Sequence, residues 1–146
     1  MASISSIHTL SELSARQSEE AIARLGKANQ NFTQAQEKLK ILQEYQQSYA
    51  LRLQQDMANG LNISHYSNYV GFLTNLEKAV AQQQREVAMS QYVVEQQRRE
   101  WQQCERKRLS FETLKNRAHT RQLRIDNVRE QKLNDEFAER SKRVML

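Results

Sequence analysis

Leu25-Gly-Lys-Ala28-Asn-Gln-Asn-Phe32-Thr-Gln-Ala35-Gln-Glu-Lys-Leu39-Lys-Ile-Leu42 is the stretch that decides the fold. Leu25, Ala28, Phe32, Ala35, Leu39 and Leu42 follow one another at alternating steps of three and four without a miss. That is the 3.5-residue repeat of a coiled-coil seam, a narrow apolar stripe facing a partner helix. Downstream, Gln46 interrupts the line before Tyr49 and Leu53 resume it. Upstream, Ile4, Ile7, Ala21 and Ile22 carry a weaker version, with Ser11, Ser14 and Ser18 at the expected seam positions. That upstream end is expected to be loosely held.

The partner helix lies in the same chain. Asn59-Gly60 supplies a left-handed residue able to end the first helix, and Asn62 or Ser64 a cap for the next. A loop this short forces two antiparallel neighbours. Beyond it, Tyr66, Tyr69, Leu73, Leu76, Val80, Gln83, Val87, Ser90, Val94, Gln97, Trp101 and Cys104 fall on one heptad line. After Cys104, the residues Phe111, Leu114, Ala118, Ile125 and Val128 fit better with a three-residue step inserted, a stammer that overwinds the supercoil. The expected fold is all-α: a long two-helix antiparallel coiled coil, a helical hairpin whose second helix is longer and overhangs. Its expected extent is one coiled-coil domain over residues 1–146, with a helix at about 4–58, a turn at about 59–64 and a helix at about 65–142.

Composition agrees with a thin fold. The 146 residues include no proline and three glycines, and only 38% are hydrophobic. Exposed faces place opposite charges a turn apart, as in Glu12 with Arg16, Glu20 with Arg24, Glu95 with Arg99 and Glu136 with Arg140. Each such pair adds only a few tenths of a kcal/mol, so stability must come from the seam. One cysteine cannot close an intrachain disulfide, which suits a reducing compartment. No secretory signal and no membrane-spanning stretch is legible, so a cytoplasmic address is expected.

Folding at residues 60–61 pairs position i with about 121 minus i. Leu42 then faces Ala79 and Val80, Tyr45 faces Leu76, and Tyr49 faces Phe72 and Leu73. Ile4 lands opposite Arg117 or Ala118, and everything past about 120 lacks a partner within the chain. At 1.5 Å per residue that overhang reaches roughly 30 to 40 Å, and it carries Ile125, Val128, Leu133, Phe137 and Val144. A lone helix with apolar positions is either frayed or a docking element. The charge is also uneven, with six basic and six acidic side chains in residues 1–62 but fourteen and eight in residues 98–146. A basic end predicts an acidic or polyanionic partner.

Nothing points to catalysis. His8, His65 and His119 are far apart, and a His8–His119 pair without a carboxylate or thiolate makes a poor metal site. There is no phosphate loop, metalloprotease motif, nucleophile elbow or CxxC, and a two-helix coil offers no pocket that desolvates a substrate. No enzyme, cofactor or metal is expected. Over residues 98–132 the basic side chains scatter round the helix with acids among them, unlike a groove-reading helix. A nucleic-acid-binding or self-associating scaffold coil is therefore the alternative rather than the leading function. Tyr45, Tyr49, Phe72, Leu76 and Ala79 cluster mid-coil on two adjacent lines, which two strands cannot both bury.

Several motifs resemble a known family. They are Leu39-Lys-x-Leu42-x-x-Tyr45-Gln-x-x-Tyr49, Asp56-Met57-x-x-Gly60, Phe72-x-x-x-Leu76-Glu-Lys-Ala79, Gln131-Lys132 and Asp135-Glu-Phe137-Ala-x-Arg140. In this order and spacing they resemble the FliJ proteins of the bacterial flagellar type III export apparatus, along nearly the whole chain. The resemblance implies a fold similar to the gamma stalk of rotary ATPases. It implies as partners the hexameric flagellar export ATPase, the cytoplasmic region of the membrane export gate protein, and export chaperones. It implies a place in the cytoplasm, peripheral to the inner membrane at the flagellar base, without membrane insertion and without nucleic acid. Carried onto matching positions, Leu42, Tyr45, Tyr49, Phe72, Leu76 and Ala79 would contact the gate. The overhang, with Arg121, Arg124, Ile125, Val128, Leu133, Phe137 and Arg140, would contact the ATPase ring.

Overall fold

The structure, a computed structural model, describes residues 4–145. It consists of α1, Ile4–Ala58, and α2, Ile63–Met145, with no strand among the described residues. The second helix is the longer, 83 residues against 55. Gly60 ends the first helix with φ 87°, the left-handed conformation that a side chain disfavours. Asn62 caps the second, its Oδ1 accepting the His65 N–H at 2.9 Å. With the cap at Asn62, α2 begins at Ile63, ahead of the expected start, and Ser64 lies inside the helix.

The chain divides into two compact units, each built from antiparallel stretches of the two helices. The first comprises Ala21–Trp101. Leu25, Ala28 and Val94 form its core cluster, with Phe32 and Trp101 packed against it. Every third or fourth residue of α1 from Ala21 to Asp56 is buried or half-buried, and Gln46 keeps the phase rather than breaking it. On α2 the same alternation runs from Tyr69 to Trp101. Gln83 sits in this seam and donates from Nε2 to the Ala35 carbonyl oxygen at 3.0 Å. Tyr49 meets Phe72 with ring centroids 4.4 Å apart, and the Tyr69 hydroxyl donates to Asp56 Oδ2 at 2.6 Å. These contacts fall within a helical turn of the pairing expected from sequence.

The second unit comprises Met1–Glu20 and Gln102–Leu146. Its serine seam is tight, not loose: Ser14 is 2% exposed and Ser18 5%. A serine is small enough to let two helices approach, and both hydroxyls are satisfied. Ser14 Oγ donates to the Ser11 carbonyl at 2.9 Å and Ser18 Oγ to Glu105 Oε2 at 2.6 Å. The expected stammer is absent. Cys104, Arg108, Phe111 and Ala118 are half-buried at steps of four, three and seven, whereas Leu114 is exposed. Arg108 fills a seam position between Cys104 and Phe111, because its alkyl stem can lie along apolar surface while its head stays polar. That head donates to Glu105 through Nε at 3.0 Å and to Glu112 through Nη1 at 2.9 Å.

None of the four expected surface pairs forms an ion pair among the described residues. Glu12 is held by His8 at 3.0 Å rather than by Arg16, and Glu95 by Arg98 at 2.7 Å rather than by Arg99. Exposed pairs of this kind contribute little. Among the described residues no helix is long and apolar enough to cross a membrane.

The Glu105 clasp makes stability depend on acid. Arg108, and then the Ser18 hydroxyl, hold the Glu105 carboxyl below its ordinary 4.5, at about 2. A depressed carboxylate pKa contributes stability above the unfolded value and loses it as pH falls through the folded one. Between pH 4.5 and 2 the melting temperature of the wild-type chain should therefore fall more steeply than that of Glu105→Gln; equal slopes would refute the clasp. At the turn, Gly60→Ala should cost about 1 kcal/mol in urea unfolding with the helical content unchanged.

Candidate functional site

Two surfaces carry the candidate residues, one in each unit. In the Ala21–Trp101 unit the mid-coil residues separate by depth. Leu42, Tyr49 and Leu76 are half-buried seam residues, and Ala79 is half-buried beside them. Tyr45 and Phe72 stand outside, 55% and 42% exposed. Phe72 is propped by the Tyr49 ring, so its outer face is presented by a partner that is itself packed. The patch is thus a seam with an aromatic rim. Its strongest polar tie is that of Tyr69 to Asp56, which raises the Tyr69 pKa above its ordinary 10.0 and keeps the phenol a donor.

A further feature of this unit escaped the sequence reading. From Met57 to Leu76 there is no Asp, Glu, Lys or Arg, in a chain that is 27% charged. Met57, Ile63, Tyr66, Val70 and Phe72 are all exposed along that uncharged stretch. The signal was available as a gap in the charge pattern, but an apolar periodicity search passes over it.

In the other unit, every described residue from His119 to Met145 is exposed. Ile125, Val128, Leu133 and Phe137 are among them, Phe137 at 74%. Arg121, Arg124 and Arg140 lie on the same exposed helix. At about 100° per residue, Ile125 and Val128 share one side, and Leu133 and Phe137 another roughly 130° round. Two offset stripes suit a partner that wraps the helix better than one lying flat along it.

His8 and His119 line one groove with Ile4, Ser5, Lys115 and Asn116, as the pairing predicted. His8 is engaged by Glu12, and among the described residues no three His, Cys, Asp or Glu come together to hold a metal ion. Cys104 is half-buried in the seam as a free thiol.

Comparison with known proteins places these surfaces in context. The family model described as "Flagellar FliJ protein" matches residues 4–144. The flagellar FliJ protein of Escherichia coli strain K12 is 32% identical over 141 residues, covering 97% of this chain and 96% of its own length. That of Salmonella typhi is 31% identical over 141 residues, with the same coverage of both chains. A match running from the start of α1 nearly to the end of α2 takes in both helices, the turn and both candidate surfaces: the chain belongs to the flagellar FliJ protein family.

Proposed function

We propose that this chain is a non-enzymatic component of flagellar protein export that works by binding two partners at separate surfaces. The end of α2 docks in the export ATPase ring as a stalk and promotes its assembly or turnover. The aromatic rim around Phe72 contacts the cytoplasmic region of the membrane export gate, which brings the chain peripherally to the inner membrane. Escort of export chaperones belongs to the same binding role.

The observation that carries this reading is the exposure of the whole α2 end, including Ile125, Val128, Leu133 and Phe137. Exposed apolar side chains on one helix are costly to leave in water and gain about 25 cal/mol for each Å² a partner covers. Membership of a flagellar family supports the choice of partner. The rim supports a second contact, since Tyr45 and Phe72 are aromatic and exposed and Phe72 is backed by the Tyr49 ring, the kind of residue that anchors interfaces.

Truncation after residue 125 should abolish stimulation of the export ATPase while leaving helicity per residue intact by circular dichroism; undiminished stimulation would exclude ring docking. Tyr45→Ala with Phe72→Ala should weaken gate binding by roughly 30-fold, the loss of about 2 kcal/mol at an anchor. Phe72→Ala with Leu76→Ala should do the same but also lower the melting temperature, because Leu76 is a seam residue. If Tyr45→Ala and Phe72→Ala leave the gate affinity unchanged, the rim is not the contact.

A further inference from the structure

The basic residues of α2 are less scattered than they look over the whole of 98–132. At about 100° per residue, Arg106, Arg117 and Arg124 fall within about 20° of one another, with Arg121 roughly 50° beyond. Glu105, Glu112, Asp126 and Glu130 all lie roughly 100 to 180° round from them. Arg106 and Arg124 are turned away from the Cys104, Phe111 and Ala118 seam, while Arg117 and Arg121 also border a groove with Ile7, Leu10, Phe111 and Ala118. The side chains form two adjoining shallow grooves. One is lined by Thr113, Asn116, Arg117, Thr120, Arg121 and Arg124. The other shares Thr113 and Arg117 and adds Leu109, Ser110 and Leu114. Leu109 and Leu114 are half or nearly half exposed, at 50% and 45%.

We infer that this track, from Leu109 to Arg124, is a docking site for an acidic amphipathic α-helix of a partner protein. The charge on the track comes from the guanidinium groups, because the Thr113 and Thr120 hydroxyls donate back to the Leu109 and Asn116 carbonyls. Arg117, Arg121 and Arg124 rise by about 6 Å and 10.5 Å along the axis, the spacing of carboxylates at i, i+4 and i+7 of another helix. The leucines at the other end of the track match the apolar face of such a helix. A nucleic acid would use only the arginines, since its affinity comes from phosphate contacts. The inference deepens the docking role proposed for the end of α2 and rests on it, adding the chemistry of the partner surface.

The test uses the full chain and two synthetic helical peptides of one composition. One carries glutamates at i, i+4 and i+7 with leucines on the adjoining line, and the other has the same residues scrambled. By fluorescence anisotropy the patterned peptide should bind at least tenfold tighter than the scrambled one, and more weakly as salt rises. Arg117→Glu with Arg124→Glu should lose at least tenfold of that affinity, and a peptide with lysines in place of the glutamates should recover it. Equal binding of the two peptides, no rescue by the lysine peptide, or tighter binding of a 20-base-pair duplex than of the patterned peptide would overturn the inference. The truncation after residue 125 keeps the two ideas apart. Loss of ATPase stimulation in it together with equal peptide binding by the full chain removes the track alone. Unchanged stimulation together with patterned-peptide selectivity removes the ring alone.

Discussion

The alternation of three- and four-residue steps along both helices is the constraint on which everything else depends. A two-stranded coil buries one stripe on each helix and has no second layer behind it. Every seam position must therefore be filled by something that tolerates contact with the opposite helix, and no large side chain among those described is fully buried. Most of the buried seam positions of α1 hold small residues, namely Ser14, Ser18, Ala21, Ala28 and Ala35. The seam keeps its bulk in a few places, among them Leu25, Val94, Phe32 and Trp101. With so little volume enclosed, a single cavity-forming change in such a cluster removes a larger share of the local packing than it would in a globular core.

The same geometry explains why the binding surfaces are legible at all. Once the seam is satisfied, any remaining apolar side chain is outside by necessity. Tyr45 and Phe72 are exposed because the lines on which they lie flank the seam, not because the packing is incomplete there. Leu133 and Phe137 are exposed because the described part of α1 in their unit ends at Ile4, opposite Lys115, Asn116 and His119. In a globular protein exposed leucines and phenylalanines are weak evidence of function. In a two-helix coil, clustered ones mark where another chain is expected.

Much of this fold could be read from the order of residues, because a coiled coil is specified by local spacing. The Leu25–Leu42 run, the Gly60 turn and the Tyr49–Phe72 pairing needed only periodicity and the position of one loop. What escaped was whatever a polar residue does inside a seam. Ser14 and Ser18 read as weak points, yet both are buried with their hydroxyls bonded, one to its own helix and one to Glu105. The phase shift expected after Cys104 is not there, and Arg108 occupies the seam in its place. An arginine is apolar along its stem and charged at its tip, and a hydropathy pattern records only the tip. The arginine track of α2 was hidden differently, since its residues separate from the acids only when the winding is confined to a few turns. Of the candidate contacts, the aromatic motif could be named from sequence, but its division into packed Leu42, Tyr49 and Leu76 and exposed Tyr45 and Phe72 could not.

Those polar seam residues also answer a problem that an apolar seam alone leaves open. Leucine and alanine at repeating positions pack almost as well after a slide of one heptad, so apolar contacts fix the face of each helix better than its register. A slide has to break both the Gln83 bond to the Ala35 carbonyl and the Ser18 bond to Glu105. It brings Glu112 to Ser18 or Ser11 to Glu105, so these ties favour the observed register together rather than singly. Near the start of α1 the register decides which residues of α2 are covered and which are presented. A shift of seven residues in the unit containing Ser18 would either cover Ile125 or strip the seam from Phe111 and Ala118. In that unit the Ser18–Glu105–Arg108 clasp is one tie at the observed register, made by groups that contribute little to stability by bulk.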